Sequence, residues 1–217
     1  MSEKQFLEIA DTGDILLFQT GTKTGTFIRK ITGGSFDHVA MILRFESEEN
    51  EVFFVEASGN YGVALNKWSS VKKHVGKNKF YERLVYRRVN FERDDELVDC
   101  LEVFLKEAVG RAYGLNIKKL LKRKTVGFNP MEVGEDGKVR EIINENRTFF
   151  CSELVAKAFK VFGVLQNDQT SSSSFLPKHF SSKHDKALKL TPNSSIDAEL
   201  QIIVESYFDK KIKEIND

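Results

Sequence analysis

The feature that most constrains how this chain folds is a change of hydrophobic period near residue 94. Before it lie short apolar runs bounded by polar or glycine-containing turns, at 14–18, 38–45, 51–57, 62–66 and 84–89, and these read as strands. After it, Leu97, Leu101, Phe104, Leu105 and Ala108 recur at helical spacing behind Asp94 and Asp95, whose charges suit a helix N-terminus. Gly110 is the expected stop. A second helix is expected from Cys151, with Leu154, Val155, Ala158, Phe159 and Phe162 facing inward and Gly163 ending it. A third is expected over 196–215, where Leu200, Ile203, Val204, Tyr207 and Ile215 form a stripe and Lys210, Lys211 and Lys213 come late. Strands first and helices later predict an α+β fold, an antiparallel sheet packed against helices.

The segments between are plainer. Residues 1–12 read as a short helical or irregular lead-in, and 20–35, rich in glycine and threonine, as a loop. A short basic helix is expected at 114–122 and a surface insertion at 123–147. With 217 residues, 41% hydrophobic and 30% charged, the chain reads as a single domain over 1–217 with a real core. Lysines and arginines exceed acids by 33 to 32, a net charge of +1, which excludes nucleic-acid binding by bulk positive charge. No apolar run reaches the length of a membrane span, the N-terminus lacks the layout of a signal peptide, and two cysteines make no disulfide framework. The expectation is a reducing, cytoplasmic setting. The cysteines and four histidines show no zinc spacing, so no metal is expected.

Three residues could carry chemistry. Cys151 stands where a helix begins, and the positive end of the helix dipole favours a thiolate there and binds a developing oxyanion. The bland alternative is a buried inert cysteine, which is how Cys100, on the apolar stripe of its helix, is read. His38 opens a strand and is the candidate base, whereas His74, His179 and His184 sit in lysine-rich surroundings and read as surface residues. Glu56 lies in an apolar run, where an unpaired charge is costly. If the hairpin of 38–45 and 51–57 folds about Ser47, residue 56 lies opposite residue 38, at about 4.5–5.5 Å between Cβ atoms. Glu56 would then orient the imidazole; the alternative is a strand-end glutamate facing water.

On these residues the chain resembles the permuted branch of the NlpC/P60 cysteine hydrolases, the YiiX/YebB-like group with a circularly permuted papain-like fold. The resemblance rests on Gly13-Asp14-Ile15-Leu16-Leu17-Phe18, Asp37-His38-Val39-Ala40-Met41, Phe54-Val55-Glu56-Ala57 and Phe150-Cys151-Ser152-Glu153-Leu154-Val155, with Phe175-Leu176-Pro177-Lys178-His179-Phe180 closing it. It spans roughly residues 10 to 190, and the order His, Glu, Cys is the one a permutation implies. It implies a Cys151/His38/Glu56 triad that cleaves a peptide or isopeptide bond through a thioester, without metal or organic cofactor. Gly110-Arg111-Ala112-Tyr113 resembles a Gly-x-x-Tyr element whose tyrosine assists the oxyanion hole, which implicates Tyr113. Its alternative is an amphipathic tyrosine at a helix end. A lecithin:retinol acyltransferase-like lipid acyltransferase or thioesterase is the second reading. The basic, leucine-containing stretch 118–124 and 18 phenylalanines are compatible with it and with peripheral membrane contact. A catalytically silent binding module is the third.

Overall fold

The computed structural model describes residues 1–58, 62–109 and 151–204. Its centre is an antiparallel sheet. Strands β1 (Ile15–Thr20), β2 (His38–Leu43), β3 (Phe53–Ser58), β4 (Gly62–Lys67) and β5 (Tyr81–Arg87) join β8 (Leu200–Gln201) in the order β4-β3-β2-β1-β5-β8. A separate two-strand ribbon pairs β6 (Val89–Asn90) with β7 (Ser195–Ile196). The strands of the centre are apolar on both sides because both faces of the sheet are covered. Ile15, Leu17, Val39, Met41, Val55 and Val85 face helices α4 (Asp95–Val109) and α5 (Cys151–Val161), which contribute Leu101, Phe104, Leu154, Val155 and Phe159 to one core. The alternate residues Leu16, Phe18, Ala40, Ile42, Phe54, Leu84 and Tyr86 meet Phe6 of α1 (Glu3–Ile9) and Trp68 and Val71 of α3 (Trp68–Val71).

The predicted strands and the two central helices are present at the expected places, in a mixed α+β fold. Asp94 caps α4 by accepting from the Leu97 N–H at 2.8 Å. Gly163, with φ of +67°, takes the left-handed conformation that ends α5. Cys100 is half-buried rather than fully in the core, beside Phe91, Leu97 and Phe162 along an open groove.

Two expectations are corrected. The loop expected over 20–35 contains a ten-residue helix, α2 (Lys23–Thr32). Most of its residues, the glycine, threonines, isoleucines and phenylalanine, are poor helix formers, but capping and one close approach compensate. Thr22 accepts from the Gly25 N–H at 3.0 Å, Gly33 closes the helix in the left-handed conformation, and Gly25 seats the helix against Thr20 and Asp37. The helix expected over 196–215 is absent through residue 204, where the chain forms β7 and β8 instead. The open edge of β5 decides this. Leu200 pairs with Tyr86, Ile202 donates its N–H to Leu84 O at 3.0 Å, and the Ile202 side chain is buried. The rest of that segment, with the expected 114–122 helix, the 123–147 insertion, Gly110 and Tyr113, lies outside the described residues.

Candidate active site

The hairpin that carries His38 and Glu56 turns through Glu46–Glu48, where Arg44 holds the carbonyls of Glu51 and Glu49 at 2.9 and 2.8 Å. Met41 pairs with Val55, Ile42 with Phe54 and Leu43 with Phe53, so the hairpin is centred on Glu48, one residue beyond the expected Ser47. His38 and Glu56 are therefore diagonal, not directly opposite. A shift of one at the centre moves the pairing by two residues and leaves both side chains on the same face. A diagonal of about 7–8 Å between Cα atoms is within reach of long side chains. His38 Nε2 is hydrogen-bonded to Glu56 Oε2.

His38 is the first residue of β2, directly paired with Phe18, whose ring lies 5.2 Å from the imidazole. At this end of the sheet the imidazole touches Phe18 of one layer and interacts electrostatically with Cys151, the first residue of α5, of the other. With Nε2 committed to Glu56, Nδ1 is the ring nitrogen left for the thiol. Ser152 anchors the start of α5 by donating its hydroxyl to Phe175 O at 2.7 Å.

Electrostatics favour the ion pair. Burial pushes the Cys151 thiol up, yet the facing imidazolium, its hydrogen bond and the Val39 and Ser152 N–H groups bring it below its ordinary value. Burial pulls His38 down, but the Cys151 and Glu56 charges and hydrogen bonds raise it well above the usual imidazole value. The imidazole and carboxylate side chains are only 17% and 13% exposed, so their attraction is weakly screened. A thiolate facing an imidazolium beside helix N–H groups can attack a carbonyl and return a proton to the leaving group.

Three neighbours escaped the sequence reading. Asn66 of β4 donates from Nδ2 to Glu56 Oε1 at 2.6 Å, so both carboxylate oxygens are held. The signal for Asn66 was present in the alternation of β4, where Val63 and Leu65 face one core and Ala64 and Asn66 share the face of Glu56. Tyr81 is pushed up to about 12, by burial and then by the Glu56 charge nearby. Asp37, beside His38, accepts from the Thr20 N–H at 2.9 Å and the Thr20 hydroxyl at 2.6 Å, and pairs with Arg29 of α2. Among the other histidines, His74 is exposed as expected, whereas His179 and His184 are half-buried, contrary to the surface reading. His179 Nδ1 accepts from the Leu176 N–H at 3.1 Å, a local turn that draws the ring against Phe175. Among the described residues no group of three or more His, Cys, Asp or Glu is arranged to hold a metal ion, and no helix is long and apolar enough to cross a membrane.

No protein-family model and no curated protein matches this chain. Among solved structures, the crystal structure of the metalloprotein YiiX from Escherichia coli O157:H7 aligns with a TM-score of 0.43 and 15% identity, over 88% of this chain and 97% of that one.

Proposed function

We propose that this protein is a cysteine hydrolase of circularly permuted papain-like architecture, one domain over residues 1–217, that cleaves an amide bond. The observation that carries the reading is the series Cys151–His38–Glu56, in which the thiol at the first turn of α5 is paired electrostatically with an imidazole that Glu56 holds through Nε2. The Cys151 thiolate attacks the carbonyl carbon. The negative oxygen that results meets the N–H at the start of α5, and Tyr113 is the second donor that the family resemblance implies. His38 gives its Nδ1 proton to the leaving nitrogen as the C–N bond breaks, leaving a thioester. The neutral imidazole then takes a proton from water, whose oxygen attacks the thioester and frees the carboxylic acid and the thiolate. Glu56 keeps the ring in register and stabilises its charged form.

The test is iodoacetamide alkylation from pH 4 to 9 with peptide mass spectrometry, using Cys100 as the internal reference. Cys151 is expected to react well below pH 8, and His38→Ala to slow it more than about tenfold at pH 6, one pKa unit or more. A Cys151 no faster than Cys100 sinks the reading in favour of a silent module. Peptide amides and acyl esters are then screened in parallel. Turnover is expected to fall by at least about 10⁴-fold in Cys151→Ala. Turnover of acyl esters alone would favour the acyltransferase-like reading.

A further inference from the structure

We infer that the outward face of α2 is a docking surface for an anionic lipid bilayer. This goes beyond the hydrolase reading and does not depend on it. A helix on the surface of a globular protein normally turns its apolar stripe inward and its charges outward. In α2 the apolar residues Phe27 and Ile31 point outward instead. Gly25 is buried against Thr20 and Asp37, where an added Cβ would come within 2.1 Å of the Thr20 hydroxyl, so this side of the helix must face the sheet. Arg29 also turns inward, to Asp37 and to Thr20 O at 2.8 Å. That rotation leaves Phe27 62% and Ile31 68% exposed, one turn apart on the outer face.

Two further exposed apolar residues lie near the ends of the helix. The Gly21 N–H, just ahead of α2, donates to the carbonyl of Phe80, whose ring is also exposed. At the other end Lys178 Nζ donates to Thr32 O at 2.7 Å, and exposed Leu176 lies two residues before it. Phe27 and Ile31 on the helix, with Phe80 and Leu176 near its ends, make four of the seven exposed large hydrophobics among the described residues. Lys23 and Lys30 lie on the same exposed face, and α2 contains no Asp or Glu. Bulky apolar side chains on a lysine-bearing helix without acids of its own match an acyl boundary beneath negative head groups, with Glu82 beside Gly21 at the edge of this face. A peptide of acidic and polar residues alone would satisfy the lysines and leave Phe27 and Ile31 in water. The patch also adjoins the candidate site: Asp37 precedes His38, and Phe175, next to Leu176, accepts from Ser152 beside Cys151. Docking there would bring the Cys–His pair close to the bilayer.

Flotation of the full chain with phosphatidylcholine vesicles, and with vesicles carrying 30 mol% phosphatidylserine, tests this. Binding to the anionic vesicles is expected, weakened by added salt. Phe27→Ser/Ile31→Ser is expected to lower it at least tenfold, and Lys23→Ser or Lys30→Ser about fivefold each. Circular dichroism and thermal melting should stay unchanged, because all four side chains are exposed; Cys151→Ser should bind as wild type, which separates this outcome from failure of the hydrolase reading. Phe27→Cys should react with maleimide in the isolated chain and be protected by anionic vesicles. No binding to anionic vesicles, or binding indifferent to Phe27 and Ile31, overturns the inference. So does protection of Phe27→Cys in the isolated chain, which would mean that another segment or a second copy already covers the face.

Discussion

Both carboxylate oxygens of Glu56 are occupied, one by His38 and the other by Asn66, so the orientation of the imidazole rests on a chain of three side chains across β2, β3 and β4. Asn66 is a positioning residue on this reading. Asn66→Ala is expected to leave the fold intact and slow Cys151 alkylation at pH 6 by up to about tenfold, the scale of one charge-assisted hydrogen bond partly transmitted. Asn66→Gln, with the same amide, should restore part of the rate; equal rates for all three would remove the assignment. The pH dependence follows from the directions of the two shifts. The Cys151 thiol is lowered and His38 is raised, so the ion pair spans the interval between them. As pH falls through the lowered thiol value, the thiolate is protonated and alkylation stops. As pH rises through the raised imidazole value, the proton donor for the leaving group is lost while the thiolate remains. Turnover should therefore be bell-shaped and alkylation should rise to a plateau. A bell in both, or in neither, contradicts this pairing.

At the scale of the element, α2 has the most to explain. Thr22 and Gly33 cap its ends locally, whereas Gly25 and Arg29 make contacts specific to this fold, Gly25 the tighter. A methyl group at position 25 would displace Thr20 or Asp37, and Asp37 is the neighbour of His38. Gly25→Ala should cost about 1–3 kcal/mol by urea unfolding, the usual scale of overpacking, despite the better helix propensity of alanine. It should also reduce Cys151 reactivity. A stabilised variant would show that Gly25 is not held against β1 as described. The hairpin of β2 and β3 carries a different lesson. Its register departed from the expected one, yet the site survived, because a shift of the pairing by two residues preserves the face and long side chains span the diagonal.

Across the whole molecule, Arg87 joins the sheet to the segment that follows α5. Its guanidinium is buried and donates to Asp197 O at 2.7 Å, Phe180 O at 2.8 Å and Asp185 at 2.8 Å. Arg87→Met keeps the bulk and removes the donors. It should lower stability by about 3 kcal/mol, read from urea midpoints, because the buried Phe180 carbonyl is left unpaired and Asp185 loses its partner. Amide exchange should speed up over 180–199 before the β1–β2 core opens; uniform loss of protection would show instead that Arg87 supports the whole fold. What could be read from the residues alone was whatever depends on local period and local chemistry: strands 14–18, 38–45 and 51–57, the helices from Asp94 and Cys151, and the candidates Cys151, His38 and Glu56. Hydrophobic spacing and helix-terminus electrostatics act within a few residues, so they are legible in one dimension. Tertiary structure decided what a neighbour distant in sequence supplies. The edge of β5 drew Leu200–Gln201 into a strand although their spacing also suits a helix. Asp37 and Thr20 made a helix of a glycine- and threonine-rich stretch and turned its apolar side outward. Asn66 came to Glu56 because strand pairing sets which residues meet, while the alternation of β4 tells only which face Asn66 shares.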